Sequence, residues 1–158
     1  MTTTLAEIAA TPIGTIARRH PVRVQPDTTL GEVVATLRDR GRGAVMVEDP
    51  AGRITGIFSE RDLMMRIDHS DPAWTALPVK TVMTPSPRTI REDEAIEDAL
   101  NIMLTGGHRH LPIVDAAGAL LGIVSVRDVL IHIVGFFPAD FINLPPDPER
   151  EASGLWGG

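Results

Sequence analysis

The sequence contains no cysteine among its 158 residues. This absence excludes disulfide bonds, thiolate metal ligands and a cysteine nucleophile, and it is typical of proteins from a reducing compartment. We therefore expect a cytoplasmic location. Aromatic residues make up 4% of the chain and hydrophobic residues 43%, so the core must be built mainly from aliphatic side chains.

Long apolar segments are also missing. A membrane-spanning helix needs about 20 consecutive apolar residues, and the longest candidate, at 126–137, is interrupted by Arg127, Asp128 and His132. Residues 1–10 lack the basic and apolar regions of a secretory signal. We therefore expect neither a membrane span nor a secretion signal.

The charge and the missing motifs exclude further classes of function. The net charge is −6 at pH 7, and an acidic balance argues against a general surface for nucleic acids or anionic membranes. The sequence has no G-x-S-x-G string, no H-E-x-x-H string and no P-loop, which position reactive groups in several enzyme classes. His108 and His110 alone are too few to hold a metal ion. We expect a protein that is not an enzyme and requires no metal or cofactor.

A short string that occurs twice organises the sequence. Residues 56–62 read G-I-F-S-E-R-D, and residues 122–128 read G-I-V-S-V-R-D. Around these strings, residues 13–66 align without a gap onto residues 79–132. Each string ends an apolar run and begins an amphipathic one, which predicts a strand, a tight turn and a helix start. An internal repeat of this kind predicts two similar structural units.

Hydrophobic periodicity predicts the order β-α-β-β-α in each repeat. For the first repeat the predicted elements are a strand at 22–24, a helix capped by Asp27 or Thr28, strands at 44–47 and 54–58, and a helix from Ser59 to about residue 67. For the second they are a strand at 88–90, a helix through 96–103, strands at 110–114 and 119–124, and a helix at 126–137. One such unit cannot cover its own sheet, so we expect an α/β (α+β) fold in which the two repeats pack together.

Proline-rich segments separate these units. They indicate a leader at 1–12, a first repeat at 13–67, a linker at 68–78, a second repeat at 79–137 and a C-terminal tail at 138–158. We expect the tail to be partly disordered.

Three motifs carry a resemblance to a known family. They are the paired G-h-h-S-x-x-D strings, the run R-H-L-P-I-V-D at 109–115 and V-M-T-P at 82–85. Together they resemble the CBS (cystathionine-β-synthase-type) domain family in its tandem form, the Bateman module. The resemblance covers residues 13–135 and implies a free-standing pair of repeats packed about a pseudo-twofold axis. The first repeat departs from the family at 16–19, where I-A-R-R replaces V-M-T-x, and at 43–46, where G-A-V-M replaces R-H-L-P.

The Ser-x-x-Asp part of each string allows two interpretations. Ser59 with Asp62, and Ser125 with Asp128, have the spacing of a capping box, in which both side chains satisfy N–H groups of the first helical turn. The alternative is a ligand site. The glycine that precedes each serine permits close approach of another group, and a helix start attracts anions. A carboxylate can accept from the two hydroxyls of a ribose. The resemblance implies that both aspartates bind the ribose diol, with both serines near the ribose or its phosphate.

A basic run distinguishes the second repeat. The planar guanidinium of Arg109 suits phosphate oxygens, and the flanking His108 and His110 can donate hydrogen bonds. For His108 alone, a solvated turn is an alternative interpretation. Because the first repeat has G-A at 43–44 in place of these side chains, we expect the site with Asp128 to be the better equipped for a nucleoside phosphate. Arg42 and the arginines at 18–19 are the basic residues available to the other site.

The resemblance implies a regulatory module that binds an adenosine ligand in the clefts between the repeats and signals to a separate, unidentified protein. The ligands it implies are AMP, ADP, ATP and S-adenosylmethionine. A ligandless dimerisation or partner-binding protein, in which the Ser-x-x-Asp strings are only caps, is the alternative. The expected ligand-binding residues are Ser125, Asp128, Arg109, His110, His108, Thr84, Pro112, Ser59, Asp62, Arg42, Gly56 and Gly122.

The last helix of each repeat predicts self-association. Apolar residues recur at helical spacing through residues 126–137, and residues 63–67 of the first repeat are apolar on nearly all sides. Exposed apolar faces on a small module favour an interface. We expect a homodimer, with residues 136–144 across or beside its interface and Ile133 within it.

Overall fold

The computed structural model describes residues 4–137, which form two small sheets and the helices that pack on them. The α-helices are α1 (Leu5–Ala9), α2 (Leu30–Arg40), α3 (Glu60–Arg66), α4 (Ile96–Gly106) and α5 (Val126–Val134). The strands are β1 (Arg18–Arg19), β2 (Arg23–Val24), β3 (Ala44–Glu48), β4 (Ile54–Ser59), β5 (Thr84–Pro85), β6 (Ile90–Arg91), β7 (His110–Val114) and β8 (Leu120–Ser125). The C-terminal tail expected at 138–158 lies outside the described residues.

Each sheet contains three strands from one repeat and one strand from the other. The strand orders are β2-β3-β4-β5 and β1-β8-β7-β6. β1 pairs antiparallel with β8, and β5 pairs antiparallel with β4. The α/β fold with its β-α-β-β-α repeats is confirmed, but each repeat also begins with a short strand that the sequence did not predict. A strand of two residues shows no alternation of apolar and polar positions, so periodicity cannot reveal it.

The hydrophobic core consists of two clusters, one for each repeat, and each cluster includes side chains from the start of the opposite repeat. Ile13, from the start of the first repeat, is fully buried in the cluster of the second repeat. Val79, from the start of the second repeat, is fully buried in the cluster of the first. Backbone hydrogen bonds fix both segments, since the Ile13 N–H donates to the carbonyl of Glu94 and the Val79 N–H donates to that of Thr28. Each repeat therefore completes the core of the other.

The exchanged strand β5 fits closely because Gly56 has no side chain. A Cβ at Gly56 would lie 2.8 Å from the Cγ atom of Met83 and closer still to its sulfur. Gly56 itself pairs with Pro85. The glycine of the first string thus admits a side chain of the same protein, a close approach of the kind that glycine in a strand permits.

Helix α2 begins one residue later than the sequence prediction. The cap is Thr29, whose hydroxyl accepts from the Glu32 N–H while the Glu32 carboxylate accepts from the Thr29 N–H. Asp27 instead forms an ion pair with Lys80, and the Thr28 hydroxyl accepts from the N–H of Gln25. The prediction of Asp27 or Thr28 was wrong because the Thr-x-x-Glu capping box starts at Thr29.

The segment expected to be a linker, at 68–78, contains a 3₁₀-helix at Pro72–Ala76. Trp74 in this helix packs against the core cluster of the first repeat.

Within residues 4–137, none of the helices combines the length and the apolarity needed to cross a bilayer.

Truncating Ile13 should destabilise the protein, because its side chain belongs to the hydrophobic core of the opposite repeat. We expect Ile13→Ala to lower the free energy of unfolding by about 2–5 kcal/mol, because it removes a fully buried side chain and leaves a cavity. Urea denaturation measures this change. Leu5→Ala, at a residue that is 72% exposed, is the control and should stay within about 0.5 kcal/mol of the parent protein.

A double-mutant cycle identifies the core to which Ile13 belongs. Ile13→Ala should be non-additive with Ile90→Ala, which alters the same cluster, and additive with Val33→Ala, which alters the other. Coupling to Val33 rather than to Ile90 would contradict the exchange.

Candidate functional site

Two of the cavities where the repeats meet each contain the start of one helix that follows a Ser-x-x-Asp string. The Asp128 cavity has a volume of about 500 Å³, and the Asp62 cavity about 410 Å³. The Asp128 cavity is lined by Leu37, Arg38, Gly41, Arg42, Gly43, Ala44, Glu60, Arg109, His110, Ile123, Ser125, Val126, Arg127 and Asp128. The Asp62 cavity is lined by Ile57, Ser59, Arg61, Asp62, Met65, Arg66, Thr84, Pro87, Arg88, Gly106, Gly107, His108, Arg109 and His110.

Both strings form helix caps. In α5, Asp128 Oδ2 accepts from the Ser125 N–H at 2.8 Å and from the Ser125 hydroxyl at 2.7 Å. The Asp128 N–H in turn donates to Ser125 Oγ at 3.3 Å. In α3, Asp62 Oδ2 accepts from the N–H and the hydroxyl of Ser59 at 2.9 and 2.8 Å. The capping interpretation is therefore correct, and it occupies one oxygen of each aspartate.

The second oxygen of Asp62 has a cationic neighbour. Arg66, one helical turn later in α3, places its Nε atom 3.2 Å from Asp62 Oδ1. The same guanidinium donates to the carbonyl of Val82 at 3.0 Å, which ties α3 to the segment before β5. A ligand hydroxyl at Asp62 would share Oδ1 with Arg66, because Oδ2 already accepts two hydrogen bonds.

The basic run lies mainly on the Asp62 side. His108 lines the Asp62 cavity, where its ring occupies the space that a side chain at Gly106 would fill. Arg61 crosses from α3 and donates to the carbonyl of Gly107 at 3.2 Å. The sequence instead predicted that His108 would share a cavity with Asp128, because both residues belong to the second repeat. Each helix start faces the loop of the opposite repeat, so the Ser-x-x-Asp string of one repeat is joined to the basic or glycine-rich turn of the other.

The Asp128 cavity is bordered by the G-A turn of the first repeat. His110 reaches it from the second repeat, with its Nε2 atom 3.4 Å from where a Cβ at Gly43 would lie. The Glu60 carboxylate is 3.5 Å from the same point. Arg42 lines the Asp128 cavity. The sequence suggested instead that Arg42 would serve the site that contains Asp62.

Three expected site residues lie outside both linings. Gly56 faces Met83, as described above, Gly122 is buried in β8 opposite Ile113, and Pro112 is buried in β7 opposite Ile123. Thr84 does line a cavity, but it is the Asp62 cavity, because β5 crosses to the first sheet.

The cavities also contain residues that sequence reasoning missed. Arg61 and Arg127 precede the two aspartates within the repeated string, so their identity in both copies was a usable signal. Glu60 and Arg88 had no such signal, because they reach the cavities only through the packing of one repeat against the other. For a metal ion, the described part of the chain offers no cluster of three or more histidine, aspartate or glutamate side chains.

Comparison with known protein families also divides the chain into two repeats. The family model described as CBS domain matches residues 13–69 and again residues 79–135. An uncharacterised 17.7 kDa protein of Acidianus ambivalens is 37% identical over 120 residues, which cover 76% of this chain and 71% of that protein.

Many solved structures share the fold. The CBS-domain-containing protein of Agrobacterium tumefaciens has 32% identity and a TM-score of 0.70, with 76% of this chain and 96% of that chain covered. CBSX2, a CBS-pair protein of Arabidopsis thaliana, was solved in complex with AMP. It has 26% identity and a TM-score of 0.67, with 78% and 96% of the two chains covered.

Removing a cap should destabilise the ligand-free protein. We expect Ser125→Ala to lower the free energy of unfolding by about 1 kcal/mol, since the first turn of α5 loses its capping hydroxyl. Chemical denaturation without nucleotide measures this loss. Thr105→Ala is the control, because this exposed hydroxyl only donates to the carbonyl of Asn101 within α4. Equal stability of Ser125→Ala and the parent protein would show that the cap contributes nothing.

Proposed function

Because this chain belongs to the CBS domain family, we propose that it is a regulatory module that binds adenosine nucleotides in the two cavities between its repeats. The observation that carries the proposal is the arrangement across the Asp62 cavity, where Ser59 and Asp62 face the basic run that contains His108 and Arg109. A nucleotide needs an acceptor for its ribose hydroxyls and cations for its phosphate, and this cavity offers both.

The chemistry of the Asp62 cavity fits each part of a nucleoside phosphate. Asp62 Oδ1 can accept from a ribose hydroxyl, and the Thr84 hydroxyl lies in the same lining. Ile57, Met65 and Pro87 provide apolar surface for a base. The guanidinium groups in the lining suit phosphate oxygens, which they can bind through two parallel hydrogen bonds; they belong to Arg61, Arg66, Arg88 and Arg109.

The charge of the lining ranks the expected ligands. AMP, ADP and ATP are anions, whereas S-adenosylmethionine carries a cationic sulfonium group beside its amino acid. The arginines of the Asp62 cavity therefore favour the nucleotides over S-adenosylmethionine. The complex of CBSX2 with AMP supports a nucleotide as ligand, but the ranking rests on the charges of the lining, because another CBS domain pair of this fold was solved with S-adenosyl-L-methionine.

Substituting the aspartates should weaken binding without removing the caps. We expect Asp62→Asn and Asp128→Asn each to weaken AMP binding at their own cavity by about 1–3 kcal/mol, because an amide is a weaker acceptor than a carboxylate. Isothermal titration calorimetry of the full chain measures this change.

Asp98→Asn is the matched control. Asp98 caps α4 by accepting from the Ala95 N–H, and it lies outside both linings. Its substitution should leave AMP affinity unchanged. AMP binding to Asp62→Asn and Asp128→Asn as tightly as to the parent protein, with the fold intact, would contradict the ribose role.

A ligandless dimerisation or partner-binding protein is the second candidate. The observation in its favour is that each aspartate already accepts two hydrogen bonds from its serine without a ligand, and that Ser125 also accepts from the Asp128 N–H. The same titration separates the two functions, because a ligandless protein would give no heat with AMP, ADP, ATP or S-adenosylmethionine.

We further propose that the module is a homodimer and that its output passes to a separate protein. The same two positions of α3 and α5 are apolar and exposed in both repeats: Met64 and Met65 are 77% and 75% exposed, and Leu130 and Ile131 are 54% and 56% exposed. Apolar surface repeated in this way favours burial against a second copy. The cysteine-free composition fits a cytoplasmic location.

Ile133 is not one of these exposed positions. It is half-buried and packs against the core cluster of the second repeat, so its substitution would disturb the fold itself, and Leu130 is the better probe of an interface. The sequence did not distinguish these faces because α5 is apolar around most of its circumference. The segment 136–144, expected beside the interface, extends beyond the described residues.

Placing a charge on the exposed face should separate the protomers. We expect Leu130→Asp to shift the protein from dimer to monomer at micromolar concentration, because a carboxylate buried in an apolar interface is costly. Sedimentation equilibrium measures the mass. Leu104→Asp, at a 79% exposed position of α4, is the control and should remain dimeric. A parent protein that sediments at the mass of one chain, 17.1 kDa, would rule out the dimer.

A further inference from the structure

The two cavities have a wall in common, formed by Arg109 and His110, which line both of them. We propose that this shared wall makes the binding of anionic nucleotides to the two cavities anticooperative, so that a phosphate held in one cavity weakens phosphate binding in the other. The inference rests on the proposed function, and it adds the way in which the two sites regulate each other.

The backbone holds this wall between the cavities. The N–H of Val126, the first residue of α5, donates to the carbonyl of Arg109, and His110 pairs with Ser125 across β7 and β8. His110 also lies against Gly43 from the first repeat. The main chain at 109–110 is therefore fixed to the start of α5, while the Arg109 side chain extends from an exposed position.

In this proposal Arg109 binds one phosphate at a time. Within residues 4–137 its guanidinium forms no hydrogen bond or ion pair, so no partner fixes its direction. A guanidinium that binds phosphate through two parallel hydrogen bonds has its planar fork committed to that anion. A second phosphate in the other cavity would then lack this partner.

The neighbouring charges indicate which cavity fills first. Each cavity is lined by four arginines and by the aspartate of one Ser-x-x-Asp string. The Asp128 cavity is also lined by the carboxylate of Glu60, which would repel a phosphate. We therefore expect AMP to occupy the Asp62 cavity first and to draw Arg109 towards it, the reverse of the order that the sequence suggested.

Comparison of AMP with adenosine tests the coupling on the full chain. Calorimetry on Asp62→Asn and Asp128→Asn first gives the affinity of each cavity when the other is impaired. In the parent protein, the second AMP should then bind about tenfold or more weakly than the affinity of its own cavity predicts, a coupling within the usual range between two sites. Adenosine, which has the same ribose and base but no phosphate, should show no such loss.

Two arginine variants test whether Arg109 carries the coupling between the cavities. Arg109→Ala should weaken AMP binding and bring the second AMP affinity close to the value for an independent site. Arg88→Ala is the matched control, because Arg88 lines the Asp62 cavity but not the Asp128 cavity. It should weaken binding there and leave the coupling between the cavities in place.

Each alternative result has a distinct meaning. Two independent AMP sites in the parent protein, equal coupling for adenosine, or coupling that persists in Arg109→Ala would each overturn the shared wall while leaving nucleotide binding intact. Coupling that disappears in the Leu130→Asp monomer would assign it to contacts between protomers and overturn the inference as well. Absence of any AMP binding would overturn the proposed function itself, and the coupling with it.

Discussion

The burial of Ile13 and Val79, each in the core of the opposite repeat, is the constraint on which the rest of the structure depends. Both side chains are fully buried, and the short strands that follow them, β1 and β5, pair with the opposite sheet. This exchange holds the two repeats at a fixed orientation. Because the orientation is fixed, the start of α3 faces the turn at 106–110, and the start of α5 faces the turn at 41–44. The cavities are a consequence of the exchange.

The aspartates illustrate how one side chain can serve both the fold and a ligand. Oδ2 of Asp62 and of Asp128 accepts from a serine N–H and hydroxyl and so completes a helix cap. A serine hydroxyl can rotate, whereas the backbone N–H cannot, so the hydroxyl contact is the part of the cap that a ligand can replace. Stability and recognition thus use the same atoms, and a measured loss of binding has meaning only beside a measured stability.

The sequence was sufficient for the two repeats and their main elements, but it predicted neither the exchange of the short strands nor which residues share a cavity. The repeated strings located both caps, and periodicity located the long helices and the paired strands, because these features are local. The grouping of His108 with Asp128 was not correct, since it assumed that residues near each other in one repeat share a site. Thr84 shows the reason most clearly: it reaches the Asp62 cavity only because β5, a strand of two residues, crosses to the other sheet. Glu60 and Arg88 likewise enter the cavities by packing between repeats, which no spacing within a repeat encodes.

The exchange of β1 and β5 also bears on how the chain can be divided. A break in the exposed stretch at 68–71 would separate the repeats in sequence, yet each fragment would still supply a strand and a buried side chain to the other. The halves would be expected to remain associated as complementary fragments, and either half alone would have an incomplete core. The boundary between the repeats in sequence is therefore not a boundary between folding units, because both repeats are needed to complete either core.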